Sequence, residues 1–166
     1  MKLDDLREEV DRELGLMEET VHELLALQRD LVERCPTVRE KTSAGAFLAQ
    51  FYGGVENILK RICRFHDIPI PRGDTWHLDL FNMFYDPPTL NLPLLFDKEL
   101  KASLIPFRKF RHLAHHGYGF QLEWERMLPG IEAIEKIFQK LRVRIVACLT
   151  NLYQSQIANG SEPASN

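Results

Sequence analysis

The chain has 166 residues, 45% hydrophobic and 27% charged, which describes one globular domain long enough to bury a core and excludes a disordered or fibrous chain. Its formal net charge of -3 excludes a global attraction to nucleic acid, so a polyanion would have to find a local basic patch. Cys35, Cys63 and Cys148 are far apart in apolar helical pattern and suit a reducing compartment; with no signal peptide and no apolar run of membrane-spanning length, the expectation is a cytoplasmic protein.

Leu6, Val10, Leu14, Met17, Val21, Leu24 and Leu31 recur at helical spacing, with polar Gln28 filling one step. They predict an amphipathic helix from about Leu3 to Glu33, ended by Pro36, with His22 at its rim. A second helix is predicted from about Thr37 to Phe65, burying Phe47, Phe51, Val55, Ile58, Leu59 and Ile62. Gly45, Gly53 and Gly54 weaken it, a cost accepted where another helix approaches closely. On its polar side Glu56 and Lys60 stand one helical turn apart. They read as a surface ion pair, or else Lys60 and Arg61 extend a phosphate-binding surface.

Pro69, Pro71, Pro87, Pro88 and Pro93 break the next segment into a connection around one short helix, capped by Asp74 or Thr75, with Trp76, Leu80, Phe81 and Phe84 on its apolar side. His77 either contacts a ligand or packs under the loop, and packing is the expectation. Asp97 caps the following helix, whose inward residues are Leu100, Leu104, Phe107, Phe110 and Leu113; Pro106 predicts a kink or a fresh start. The last helix runs from about Gln121 or Pro129 to Gln156 through Ile134, Phe138, Leu141, Ile145, Leu149 and Leu152, with Lys136, Lys140, Arg142 and Arg144 as a solvated face. Residues 158–166 have nothing to bury and are expected to form a disordered tail to a single domain of residues 1–157. No segment alternates like a half-buried strand. The fold class is therefore all-α, an antiparallel bundle of about four main helices plus a short extra one.

Chemistry concentrates between Arg108 and Tyr118, where two arginines, a lysine, three histidines and a tyrosine fall within three helical turns. At about 100° per residue, Arg111, His115 and Tyr118 share one face of a continuous helix, and His112 and His116 form another pair. If the helix stops at His115 or His116 and Gly117 or Gly119 turns the chain back, Arg111, His116 and Tyr118 converge instead. A guanidinium fork can hold a phosphate, and an imidazole can move a proton to or from a ribose oxygen near neutral pH. Together they suit metal-free RNA cleavage, in which the 2′-hydroxyl is the nucleophile. One histidine does half of that proton transfer, so a two-fold dimer sharing one cleft is a natural solution. Two other readings of the stretch are a solvated basic helix end and a metal site of His112 and His116 with His115 or His77. Neighbouring arginines repel a cation, so no metal is expected.

The string Phe110 to Phe120 resembles the signature of the HEPN superfamily, and specifically of the HepT-like toxins, whose motif R-x-x-x-x-H-x-Y is met by Arg111, His116 and Tyr118. The likeness extends to the segments Phe51 to Leu59, Trp76-His77 and Leu122 to Arg126, in the family's order, and covers about Leu14 to Leu152. The resemblance implies a HEPN-like helical domain acting as a dimeric, metal-independent endoribonuclease toxin without a cofactor. Its expected partners are an RNA substrate (tRNA or mRNA), a second copy of itself, and a minimal nucleotidyltransferase antitoxin that silences it by transferring AMP to Tyr118. Arg111 and His116 are then catalytic, with Arg108, His112, His115, Glu56, Lys60 and Arg61 supporting or binding RNA. His112 stands where the family often has asparagine or aspartate, and Arg108 with His115 fits a looser spacing of the wider superfamily. A rival from another class is a non-catalytic helical module that binds nucleotide or RNA, or serves as accessory subunit to a nucleotidyltransferase.

Overall fold

The computed structural model describes residues 1–116, 118 and 121–160, with residues 113–116, 159 and 160 described by their backbone alone. Among the described residues the fold has five α-helices: α1 (Leu3–Asp30), α2 (Val38–Phe65), α3 (Trp76–Met83), α4 (Lys98–His116) and α5 (Trp124–Gly160). Among the described residues there is no strand. The all-α bundle read from helical periodicity is the fold observed.

Local chemistry sets the helix ends. Thr37 precedes α2, where its hydroxyl accepts from the Glu40 N–H at 3.3 Å while its own N–H donates to Glu40 Oε2 at 2.8 Å. This reciprocal pair satisfies donors that a helix start leaves open. Asp97 acts likewise for α4, its Oδ1 accepting from the Leu100 N–H at 2.8 Å. Thr75 precedes α3, but its hydroxyl donates to Asp79 rather than capping the backbone. Pro106, where a kink or a fresh start is expected, and Pro129, one of two expected starts of the last helix, both lie inside continuous helices, α4 and α5. Each proline removes the bond to the carbonyl four residues earlier, and those carbonyls belong to exposed Ala102 and Glu125, where water can replace the lost donor. α1 ends earlier than its apolar period suggested, at a turn in which the Leu31 N–H bonds the Gln28 carbonyl at 3.1 Å. α5 carries helix on to Gly160, past the expected end at Gln156, and the remaining tail lies outside the described residues.

The second helix is the centre of the bundle and packs against all the others. Phe51 meets Phe107 of α4 and Phe138 of α5, with ring centroids 5.2 Å and 6.4 Å away. α1 runs antiparallel to α2, with Met17 facing Gly54 and Glu9 paired with Arg61, and α4 runs antiparallel to α5, with Phe110 facing Gly130 and Glu99 paired with Lys140. α2 and α4 run in the same direction, so the register that sets Phe51 against Phe107 sets Glu56 against Arg111. Two of the three glycines of α2 mark close approaches. A Cβ at Gly54 would lie 2.5 Å from Met17 Cγ, and one at Gly45 would lie 2.6 Å from Leu122 Cδ1. Gly53 has open space instead.

The basic run of α5 is more than a solvated face. Lys140 pairs with Glu99, Arg144 with Asp97, and Arg142 with Glu18, tying α5 to α4 and α1 through exposed contacts of small individual worth.

Candidate functional site

Three helices converge on one carboxylate. Glu56 falls on the buried stripe of α2, between Tyr52 and Leu59, and its side chain is 3% exposed. A charge in that position needs partners, because an unpaired buried carboxylate costs several kcal/mol. Two are present. Arg111 of α4 donates from Nε to Glu56 Oε2 at 3.0 Å, and His77 of α3 lies with Nδ1 2.7 Å from Glu56 Oε1. Arg111 also reaches His77 directly, with Nη1 3.1 Å from Nε2.

That third contact decides the tautomer. Arginine has only donors, so Nε2 of His77 must be the acceptor and the ring proton must sit on Nδ1, where it donates to Glu56. His77 is therefore neutral in this arrangement, and the Glu56 carboxylate accepts one bond on each oxygen. Burial pushes the Glu56 carboxyl above the usual carboxylate range, against the opposing pull of the Arg111 and Lys60 charges. Burial also lowers the Lys60 ammonium, against the attraction of Glu56.

Trp76 backs the cluster. Lys60 Nζ stands 4.5 Å, and Arg111 Cζ 5.7 Å, from the centroid of its indole ring, so two cations share one aromatic wall. In front of Arg111 opens a cleft of about 810 Å³, whose lining includes Arg108, Lys109 and Arg111 against a single carboxylate, Asp74. That excess of fixed cations is the local basic patch a polyanion would need on an acidic protein. Arg111 spends Nε and one bond of Nη1 on its neighbours. Its Nη2 amino group takes part in neither contact.

The expected site residues fare differently. Arg108 and His112 line the cleft with Arg111, and Lys60 sits behind it on Trp76. Glu56 and Lys60 are not a surface ion pair: Glu56 is buried, and its bonds go to Arg111 and His77. Arg61 is turned away. It pairs with Glu9 at 3.1 Å and Glu13 at 2.8 Å on α1, so it does not extend the basic surface toward the cleft. Tyr118 is 69% exposed, and its N–H donates to Gln121 Oε1 at 3.2 Å. The α4 helix runs unbroken to His116, but the side chains of His115 and His116, and the turn at Gly117 and Gly119, lie outside the described residues.

His77 is the residue that sequence reasoning undervalued, since it bonds both Glu56 and Arg111 rather than merely packing under a loop. The available signal was Glu56 itself. Position 56 continues the apolar series Tyr52, Val55, Leu59 and Cys63, and a carboxylate on such a stripe calls for a buried cation and a second donor.

Among the described residues no three metal-ligating side chains are grouped for an ion, and no helix is long and apolar enough to cross a membrane. No curated protein and no solved structure matches the chain. A family model described as HepT-like protein matches residues 43–152, a span that holds Glu56, His77, Arg111, His116 and Tyr118. The chain therefore belongs to the HepT-like family.

Proposed function

We propose that this protein is a metal-independent endoribonuclease toxin, a single helical domain over residues 1–157 that cuts RNA at a dimer cleft and is silenced by AMP transfer to Tyr118. Membership of the HepT-like family suggests a toxin–antitoxin ribonuclease. The observation that carries the finer reading is Arg111 anchored by Glu56 at the wall of a basic cleft, with donors left over for a phosphate. A guanidinium so held is preorganised to take the non-bridging oxygens of a phosphodiester and to stabilise the charge gained in the transition state. His116 moves a proton in this scheme, and Arg108, His112 and His115 support or bind the RNA. The attacking 2′-hydroxyl stays attached, so the products carry a 2′,3′-cyclic phosphate and a 5′-hydroxyl. The antitoxin is a minimal nucleotidyltransferase, and an adenylyl group on Tyr118 would bring a phosphodiester of its own to the cleft, blocking RNA by charge and bulk.

The test is incubation of total RNA with purified protein in EDTA, comparing wild type with Arg111→Ala and His116→Ala. Cleavage by wild type alone is the expected result. Intact RNA with folded wild type would overturn the nuclease reading in favour of a binding module.

A further inference from the structure

RNA cleavage by a 2′-hydroxyl needs two proton transfers, one from the nucleophile and one to the leaving 5′-oxygen. The motif supplies one histidine per protomer. The fold brings a second imidazole to Arg111, on a different helix and outside the motif.

We propose that His77 is a catalytic base of the cleavage reaction, aimed by Glu56 and unmasked when the substrate phosphate takes over the Nη1 bond of Arg111 while Nε stays on Glu56. This rests on the nuclease reading above. A buried carboxylate holding Nδ1–H at 2.7 Å fixes both the ring plane and the tautomer, which leaves the Nε2 lone pair as the working end. The His77 side chain is 25% exposed and lines the same cleft as Arg108 and His112. In the resting protein Nε2 is occupied by a hydrogen bond from Arg111 Nη1. A phosphate in the cleft competes for that guanidinium with two anionic oxygens, a stronger acceptor than a neutral imidazole. As the Nη1 bond shifts to phosphate, the aimed lone pair becomes available beside the scissile linkage.

The step balances without water or metal. Nε2 of His77 takes the 2′-hydroxyl proton and the 2′-oxygen forms a bond to phosphorus. The bond from phosphorus to the 5′-oxygen breaks, and that oxygen leaves with a proton from an imidazolium, the role left to His116. Glu56 holds Nδ1 throughout and stabilises the imidazolium formed at His77. Among the described residues, the charged and titratable groups facing His77 include Glu56 from α2, Arg108, Arg111 and His112 from α4, and Asp74 from the loop before α3.

The experiment compares wild type, His77→Ala and His77→Gln on an RNA oligonucleotide in EDTA, with kcat, KM and the pH dependence of kcat/KM measured for each. His77→Gln retains an amide that can bond Arg111 but cannot accept a proton. Both variants should lose about 10²–10⁴-fold in kcat, with little change in KM. In wild type kcat/KM should rise with pH as the base deprotonates, and the variants should lose that limb. Recovery of wild-type rate in His77→Gln would reduce His77 to a positioning residue and overturn the proposal. Full activity in His77→Ala, with His116→Ala inactive, would overturn it while leaving the nuclease reading intact. An inert wild type would bring down both.

Discussion

Arg111 and Glu56 form an ion pair with Nε 3.0 Å from Oε2, and the two ends differ in depth: the arginine side chain is 22% exposed and the glutamate 3%. The asymmetry makes their removal unequal. Without Glu56, the guanidinium can turn to water in the cleft. Without Arg111, the carboxylate is left buried with the His77 hydrogen bond and the weaker pull of Lys60. Arg111→Ala should therefore cost about 3–5 kcal/mol, and Glu56→Gln only about 1–3 kcal/mol, as read from urea midpoints at unchanged slope. Equal losses would mean that the carboxylate reaches solvent.

The same pair predicts a pH effect. Burial raises the Glu56 carboxyl, and Arg111 is the first of the groups opposing it. A carboxyl whose pKa is higher folded than unfolded withdraws stability as pH rises from the unfolded value through the folded one. Removing Arg111 enlarges that loss, so the deficit of Arg111→Ala should shrink between about pH 7 and about pH 5. Adding Glu56→Gln to the variant should flatten the dependence, and urea titrations at several pH values read both.

At the start of α2 the sign reverses. Arg34 first, then the Thr37 N–H and hydroxyl, hold the Glu40 carboxyl at about 2, below its ordinary 4.5. The contribution of this cap is complete above about 4.5 and is lost as pH falls through about 2. Circular dichroism melts of wild type and Glu40→Gln should differ near neutrality and converge in acid. A gap that persists in acid would assign the effect to something other than the carboxylate.

Three glycines on one helix give a graded test of packing. Gly53→Ala meets nothing and should stabilise by up to about 1 kcal/mol through helix propensity. Gly45→Ala meets the far end of Leu122, which can rotate aside at small cost. Gly54→Ala drives a methyl into Cγ of buried Met17 and should destabilise by about 1–3 kcal/mol. Thermal midpoints should fall in the order Gly53→Ala, Gly45→Ala, Gly54→Ala.

Tyr118 is 69% exposed, and the proposed function makes it the modified residue. With a cognate nucleotidyltransferase and ATP, intact-protein mass spectrometry should record adenylyl increments on wild type and none on Tyr118→Phe. Increments surviving in the variant would move the modified residue elsewhere.

Much of this architecture was legible in the sequence because burial and helical period coincide. The Leu6 to Leu24 stripe, the Phe51 to Ile62 stripe and the Asp97 cap each carry their own local signal. Of the two outcomes open at Pro106, the helix excludes a fresh start by running on through it, because the carbonyl it orphans belongs to exposed Ala102, a property of the packed helix and not of the string. At the site, Arg111 stood out by its neighbours in sequence, whereas the role of His77 depends on the parallel register of α2 and α4 and on where the loop sets down α3. The burial of Glu56 was legible from its place on the Tyr52 to Cys63 stripe, but the side chains that meet it come from α4 and α3, and nothing near position 56 in the string names them.

The most direct test is cleavage of one RNA in EDTA by wild type and by Arg111→Ala, set beside the same sequence made wholly of 2′-O-methyl nucleotides. Wild type should cut the ribose form to 2′,3′-cyclic phosphate ends and leave the methylated form whole, and Arg111→Ala should cut neither. Equal cutting of both forms, or cutting of the ribose form by Arg111→Ala at the wild-type rate, would contradict the proposed mechanism.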